Sequence, residues 1–208
     1  VPFAERNGLI SSVTRWVSRR VIRDFSGGAE LPQGFRVYFN VVAQTLDDFT
    51  FISELNDALR TTPKLADHLG IELTETAAME NVESAMHTIN LFRNWGLSVA
   101  IDDFGTGYSS LSYLKKLTVD VIKIDRSFVS GLPHDESDGA IAELLLQFTD
   151  KFDVVTLAEG IETEAQLSWL FERGCRLGQG YLFAKPEPLQ ALRSRLRERT
   201  PSTARSSR

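Results

Sequence analysis

The sequence predicts an α/β protein on a parallel sheet, and it favours a TIM-like (βα)8 barrel over an open doubly wound sheet. Three observations carry this expectation. Short apolar strands alternate with segments of helical period along nearly the whole chain, the pattern that requires crossover helices between parallel strands. Asn40, Glu72, Asp102, Lys123, Glu159 and Gln179 stand at the C-terminal ends of successive predicted strands. A barrel gathers all such ends around one mouth, whereas an open sheet collects only those near its switch point. Finally, 208 residues make one domain and hardly two. Six strands are legible, so a full barrel takes two more, which are expected ahead of Val1.

Each element has its own signal. Leu9, Val13, Trp16, Val17, Val21 and Ile22 recur at helical spacing, and Gly27-Gly28 breaks that helix. Phe35 to Phe39 reads as a strand ending at Asn40. Phe49 to Leu59 is helical and stops near Pro63, and Leu69 to Leu73 is the second strand. Val82, Ala85, Met86, Ile89 and Phe92 mark an amphipathic helix closed by Gly96, after which Leu97 to Ile101 is a third strand. Leu111 to Leu117 reads as a short helix and Asp120 to Ile124 as the fourth strand. A helix through Ile141, Leu144, Leu145 and Phe148 precedes strand Val154 to Ala158. Glu164 to Glu172 is helical, Arg176 to Gln179 is a sixth strand, and the last helix lies near Leu189 to Leu196. The domain is expected to span residues 1–196, with 197–208 a disordered Ser- and Arg-rich tail.

Composition narrows the function. With 23 basic and 28 acidic residues the net charge is −5, which argues against a duplex nucleic-acid binder. No apolar run is long enough to span a bilayer, so this segment is expected to make no membrane contact. The single cysteine, Cys175, rules out an internal disulfide and fits a reducing, cytoplasmic compartment. No sequence feature assigns a role to His68, His87 or His134.

The sharpest local feature is Asp102-Asp103-Phe104-Gly105-Thr106-Gly107. Adjacent strand residues point to opposite faces, but at a strand end the backbone can turn both carboxylates toward one site. Two carboxylates that close repel unless a proton or a cation lies between them, and hard cations such as Mg2+ or Mn2+ fit oxygen ligands. The segment also echoes a kinase metal-binding motif, but no glycine-rich phosphate loop precedes it. Glu72-Leu73-Thr74-Glu75 closes the second strand. Lys123, set between Ile122 and Ile124, should face the barrel interior or a functional mouth, since lysines are almost never buried unpaired. Glu159-Gly160 and Gln179-Gly180 place polar side chains beside permissive backbone at the last two strand ends.

Five ordered segments resemble the successive signatures of the EAL domain family: residues 71–75, 102–111, 122–129, 158–163 and 179–183. The resemblance runs from about Pro2 to about Leu192. It implies a modified (βα)8 barrel that hydrolyses cyclic di-GMP to pGpG in bacterial signalling, using two Mg2+ or Mn2+ ions. Carried over by motif, Asn40, Glu72 and Asp102 resemble ligands of one metal, Asp102 and Asp103 resemble ligands of the second, and Glu159 stands near that second ion. Lys123 resembles the lysine at the nucleophilic water or phosphate, so Lys123, Glu159 and Asp103 are the candidate catalytic residues. Asp125 and Gln179 are candidates for substrate contact beside Lys123. Glu75, Glu162 and Gln179 look like supporting residues, with Glu75 anchoring the loop from Phe104 to Leu111, which the family associates with dimerisation.

The resemblance also implies a homodimer and upstream sensory or diguanylate cyclase domains. Two departures stand out: the Glu-Ala-Leu motif of the family would lie ahead of the first helix here, and Val41-Val42 replaces the Leu-Ser that usually follows the asparagine. These departures motivate an alternative, a non-catalytic cyclic di-GMP receptor or interaction module.

Overall fold

The computed structural model describes residues 2–26, 31–62, 64–106 and 117–199. Six strands form one sheet in sequence order: β1 Val37–Asn40, β2 Leu69–Thr74, β3 Ser98–Phe104, β4 Val121–Ile124, β5 Val155–Ala158 and β6 Leu177–Gly178. Every neighbouring pair is parallel. The sheet curls as six strands of a TIM-like barrel, in line with the expected class.

Helices fill the connections: α1 Pro2–Arg6, α2 Ile10–Phe25, α3 Ala43–Leu46, α4 Phe49–Thr61, α5 Glu75–Glu80, α6 Val82–Asn94, α7 Arg126–Ser130, α8 Glu136–Lys151, α9 Glu164–Glu172 and α10 Leu189–Arg199. Their starts are written locally. The side chains of Asp48, Thr74, Asn81, Asp125, Asp135 and Thr163 each accept a backbone N–H of the first turn they precede, satisfying donors that a helix leaves orphaned.

The core lies between the sheet and these helices. Ile71, Leu73, Ile101, Ile122 and Ile124 are fully buried with Phe51, Leu55, Ile89 and Phe92 of the helices. Alternation sends the other residues of each strand to the concave face, which carries Tyr38 and Asn40, Glu72, Ala100 and Asp102, Lys123 and Leu157. The ring of Tyr38 lies over Gly70, where a β-carbon would sit 2.3 Å from the ring, and its hydroxyl is 2.9 Å from Ser98 Oγ. Tyr38 therefore floors the concave face beneath Asn40 and Glu72. Farther along that face, Val155 and Leu177 remain 45% and 44% exposed.

Several boundaries differ from expectation. β3 runs to Phe104 rather than ending at Ile101, with an irregularity between Ile101 and Phe104. The backbone of Asp103 takes a positive φ of 54° there. β6 is limited to two residues. Helices α3, α5 and α7 are too short to leave a periodic signal. The helix expected to stop near Leu196 continues through Arg199, so residues 197–199 belong to α10 and not to a tail; Leu, Arg and Glu are strong helix formers and need no apolar stripe to extend a turn. The Gly27-Gly28 break, the stop at Pro63, most of the helix expected at 111–117 and the tail residues 200–208 lie outside the described residues. Among the described residues no helix is long and apolar enough to cross a membrane.

Candidate active site

The C-terminal ends of the strands converge on Lys123. Its flanking isoleucines are fully buried, so the β4 backbone is held firmly, and Lys123 itself is 3% exposed on the concave face. Its ammonium lies 3.0 Å from Glu72 Oε1, 2.9 Å from Asp102 Oδ1 and 2.5 Å from Glu159 Oε1. The neighbouring strands β3 and β5, and β2 beyond them, thus each send one carboxylate to one cation. Burial alone would drive the lysine toward its neutral form, but the hydrogen bonds and charges of these partners outweigh it and hold its pKa above the ordinary value. The carboxylates do not share that benefit equally. Burial pushes Glu72 and Glu159 up despite Lys123.

Asp103 joins the cluster through the irregularity in β3. In a regular strand it would face away from Asp102; its left-handed backbone turns it back, and its own N–H donates to Asp102 Oδ1 at 3.1 Å. Asp102, Asp103 and Glu159 each offer a carboxylate oxygen, all within 4.8 Å of one another. Burial, followed by the charges of Asp102 and Asp125, pushes Asp103 up. Burial acts on Asp125 the same way, but hydrogen bonds from Ser127, from the backbone of α7 and from Asp103 outweigh it and hold Asp125 down.

The second ring of contacts fixes the loops. Gln179 donates its amide to Glu159 Oε1 at 2.6 Å. Glu75, 3% exposed, accepts the N–H of Gly105 at 2.8 Å and so ties the loop after Asp103 to α5. Asp125 accepts the N–H of Ser127 at 2.9 Å. Glu162 pairs with Arg126 at 2.8 Å. Asn40, adjacent to Glu72 in register, opens with Asp102 and Asp103 onto a cavity of about 840 Å3. Val13 and Val17 of α2 and Val42 line its apolar side.

The residues singled out from sequence are thus brought together: Glu72, Asp102 and Glu159 on Lys123, Asp103 and Asp125 beside them, Gln179 behind Glu159, and Asn40 at the rim of the cavity. Sequence reasoning did not find Tyr38, Arg126 or Gln166. Only Gln166 carried a legible signal, the capping box Thr163-x-x-Gln166. Part of the loop expected to govern dimerisation, residues 107–111, lies outside the described residues.

The donor set is chemically suited to a divalent cation. It is made of oxygens, it carries more negative charge than Lys123 offsets, and three of its carboxylates are held above their ordinary pKa values, a cost that a bound cation would relieve.

Comparison with known proteins agrees with this geometry. The chain is 40% identical over 198 residues to the cyclic di-GMP phosphodiesterase NbdA of Pseudomonas aeruginosa, covering 95% of this chain and 25% of NbdA. The chain thus spans about a quarter of the length of that relative. Among solved structures it resembles the PaMucR phosphodiesterase in complex with c-di-GMP, with a TM-score of 0.82 and 34% identity over 92% of this chain and 78% of that one. Klebsiella pneumoniae BlrP1, solved as a manganese and cyclic di-GMP complex, matches with a TM-score of 0.69 and 28% identity over 80% of this chain and 42% of that one. The EAL domain model matches residues 1–186, and the chain belongs to the EAL domain family.

Proposed function

We propose that this chain is the catalytic module of a metal-dependent phosphodiesterase that hydrolyses cyclic di-GMP to linear pGpG. The observation that carries this reading is the single buried ammonium of Lys123 shared by Glu72, Asp102 and Glu159, with Asp103 turned into the same cluster. The relatives' own activity and ligands, a cyclic di-GMP phosphodiesterase and structures holding that nucleotide, point the same way.

Asn40, Glu72, Asp102, Asp103 and Glu159 would hold Mg2+ or Mn2+. Such cations, when bound, would supply neutralisation of phosphoryl oxygens and a water made nucleophilic at neutral pH. The chain's own residues supply the rest. Lys123 holds its proton and offers positive charge to a phosphodiester at the strand ends. Gln179 fixes one oxygen of Glu159, leaving the other directed elsewhere. Glu75 holds the loop that carries Asp103, and Asp125 is placed beside Asp103 at the mouth for substrate contact. Upstream sensory or diguanylate cyclase domains, a homodimer and a cytoplasmic location belong to the same proposal.

A second reading, a cyclic di-GMP receptor without turnover, is favoured by one observation: Val42 lines the cavity next to Asn40, where the family usually has a hydroxyl. The deciding experiment follows cyclic di-GMP and pGpG by chromatography with Mn2+, Mg2+ or EDTA. It compares this chain with a version extended at the N terminus to include a Glu-Ala-Leu segment. Metal-dependent appearance of pGpG supports the enzyme; saturable nucleotide binding without product in either form supports the receptor.

A further inference from the structure

Glu159 sits on a turn, residues 159–163, that leaves β5 beside the end of β4, where Lys123 is followed by Asp125. Two side chains outside the carboxylate cluster join these segments. The aliphatic stem of Arg126, the first residue of α7, lies flat on Gly160: a β-carbon at Gly160 would be 2.4 Å from Arg126 Cγ and 2.8 Å from Cβ and Cδ. Gly160 has φ +69°, so the turn both needs glycine for its backbone and leaves the space that the arginine stem fills. The guanidinium then reaches across the turn to Glu162 at 2.8 Å.

From the other side comes Gln166, 6% exposed. Its Oε1 accepts the N–H groups of Glu162 at 2.8 Å and Thr163 at 3.0 Å, and its Nε2 donates to the carbonyl of Ser130, at the end of α7, at 3.3 Å. The turn is therefore pinned at Gly160, Glu162 and Thr163 to the two ends of α7, and α7 begins two residues after Asp125's neighbour Ile124.

We propose that Arg126 and Gln166 are positioning residues that fasten the Glu159 turn to α7, which follows Lys123 and Asp125 in the chain, and thereby set the separation of Glu159 from Asp102 and Asp103 at which a divalent cation is held. The proposal rests on the metal-dependent reading of the site. Neither side chain is placed to touch substrate: Gln166 is buried beneath the turn, and Arg126 is engaged with Glu162. Their effect is geometric. A carboxylate whose main chain slides by about 1 Å loses a large part of its catalytic value even with every ligand present.

The test measures Mn2+ binding by the electron paramagnetic resonance of the free ion, alongside kcat, KM and Tm, for the wild-type chain and four variants. Arg126→Ala removes stem and charge, Arg126→Met restores the stem alone, Gln166→Leu removes the pins, and Glu54→Gln is a control that breaks an ion pair with Arg19 on the far side of α2 and α4. All assays run well below each Tm. Arg126→Ala and Gln166→Leu are expected to weaken Mn2+ binding about tenfold and lower kcat about tenfold, with KM for cyclic di-GMP changed less than about twofold. Arg126→Met should recover most of the lost affinity, and Glu54→Gln should match wild type in affinity.

Wild-type Mn2+ affinity in both Arg126→Ala and Gln166→Leu would overturn the proposal, as would equal weakening in Glu54→Gln, which would mark a general loss of stability. Wild-type protein that binds Mn2+ but makes no pGpG, with weakened binding in the two variants, would keep the clamp and remove the phosphodiesterase reading. Wild-type protein that binds no Mn2+ would remove both.

Discussion

Lys123 Nζ stands 2.5 Å from Glu159 Oε1, and the same oxygen receives the amide of Gln179 at 2.6 Å. One carboxylate oxygen is thus fully engaged, and with Glu72 and Asp102 it keeps a buried ammonium ionised. Replacing Lys123 with Met should abolish turnover, by at least about a hundredfold if its charge is used at the phosphodiester. It should also destabilise the cation-free chain by about 3–5 kcal/mol, since buried carboxylates lose their counter-charge. Mn2+ should restore a large part of that stability. Urea unfolding with and without Mn2+ measures it; a variant as stable as wild type in EDTA would contradict the assigned role of the pair.

The elevated carboxylates set a pH dependence. Glu72 and Glu159 have folded-state pKa values above their unfolded ones, so the folded state binds protons more tightly and these groups cost stability as pH rises through the unfolded and then the folded values. Asp125, held down, acts in the opposite sense: its contribution is present above the unfolded pKa and is lost as pH falls through the folded one. In metal-free buffer the stability of Glu72→Gln relative to wild type should therefore improve as pH is raised from about 4 to 7. Saturating Mn2+ should reverse the advantage at neutral pH. A relative stability that is flat over that interval would count against the burial of Glu72 charge.

Glu75 reaches the backbone of Gly105 rather than the cluster. Glu75→Ala should leave Mn2+ binding by Glu72 and Glu159 largely in place while reducing turnover about ten- to a hundredfold, because the loop beginning at Gly105 loses its anchor to α5. A charge-assisted hydrogen bond of this kind contributes about 1.5–3 kcal/mol. Hydrogen exchange at the Gly105 amide is the direct check: faster exchange in the variant is expected, and an unchanged rate would place the anchor elsewhere.

Tyr38 and Gly70 form a matched pair on the concave face. Gly70→Ala puts a methyl group 2.3 Å from the tyrosine ring and should cost about 1–3 kcal/mol by overpacking. Tyr38→Ala alone should also destabilise, through lost contact and the lost hydrogen bond to Ser98. The double variant should be less destabilised than the two single changes added together, with a coupling of at least about 1 kcal/mol by double-mutant cycle. Additive effects would show that the two residues do not share that space.

The long-period elements were legible because their signals are local. Alternation in β2 and β4 and the amphipathic stripe of α6 follow from where apolar residues fall. So did the clustering of polar residues at strand ends, since strand ends are where a parallel barrel puts its chemistry. What escaped is non-local or sub-periodic. Four- to six-residue helices such as α3 and α5 have no room for a stripe. The turn of Asp103 into the site depends on a register shift between β3 and β4 that the run Ala100 to Phe104 does not announce. Arg126 reads as an ordinary surface arginine until Gly160, thirty-four positions later, supplies the flat surface it lies on. Tyr38 reads as one more strand aromatic until Gly70 makes room for it.

The carboxylates around Lys123 come from β2, β3 and β5, each delivered by a different crossover. No two adjacent elements make the cluster alone. A chain in which β5 has not yet docked on β4 leaves Glu159 away from the lysine, so that only Glu72 and Asp102 face its charge. A cation held in part by Glu159, as proposed above, would therefore bind the finished sheet more tightly than one whose fifth strand is unseated, and would favour complete molecules over incomplete ones.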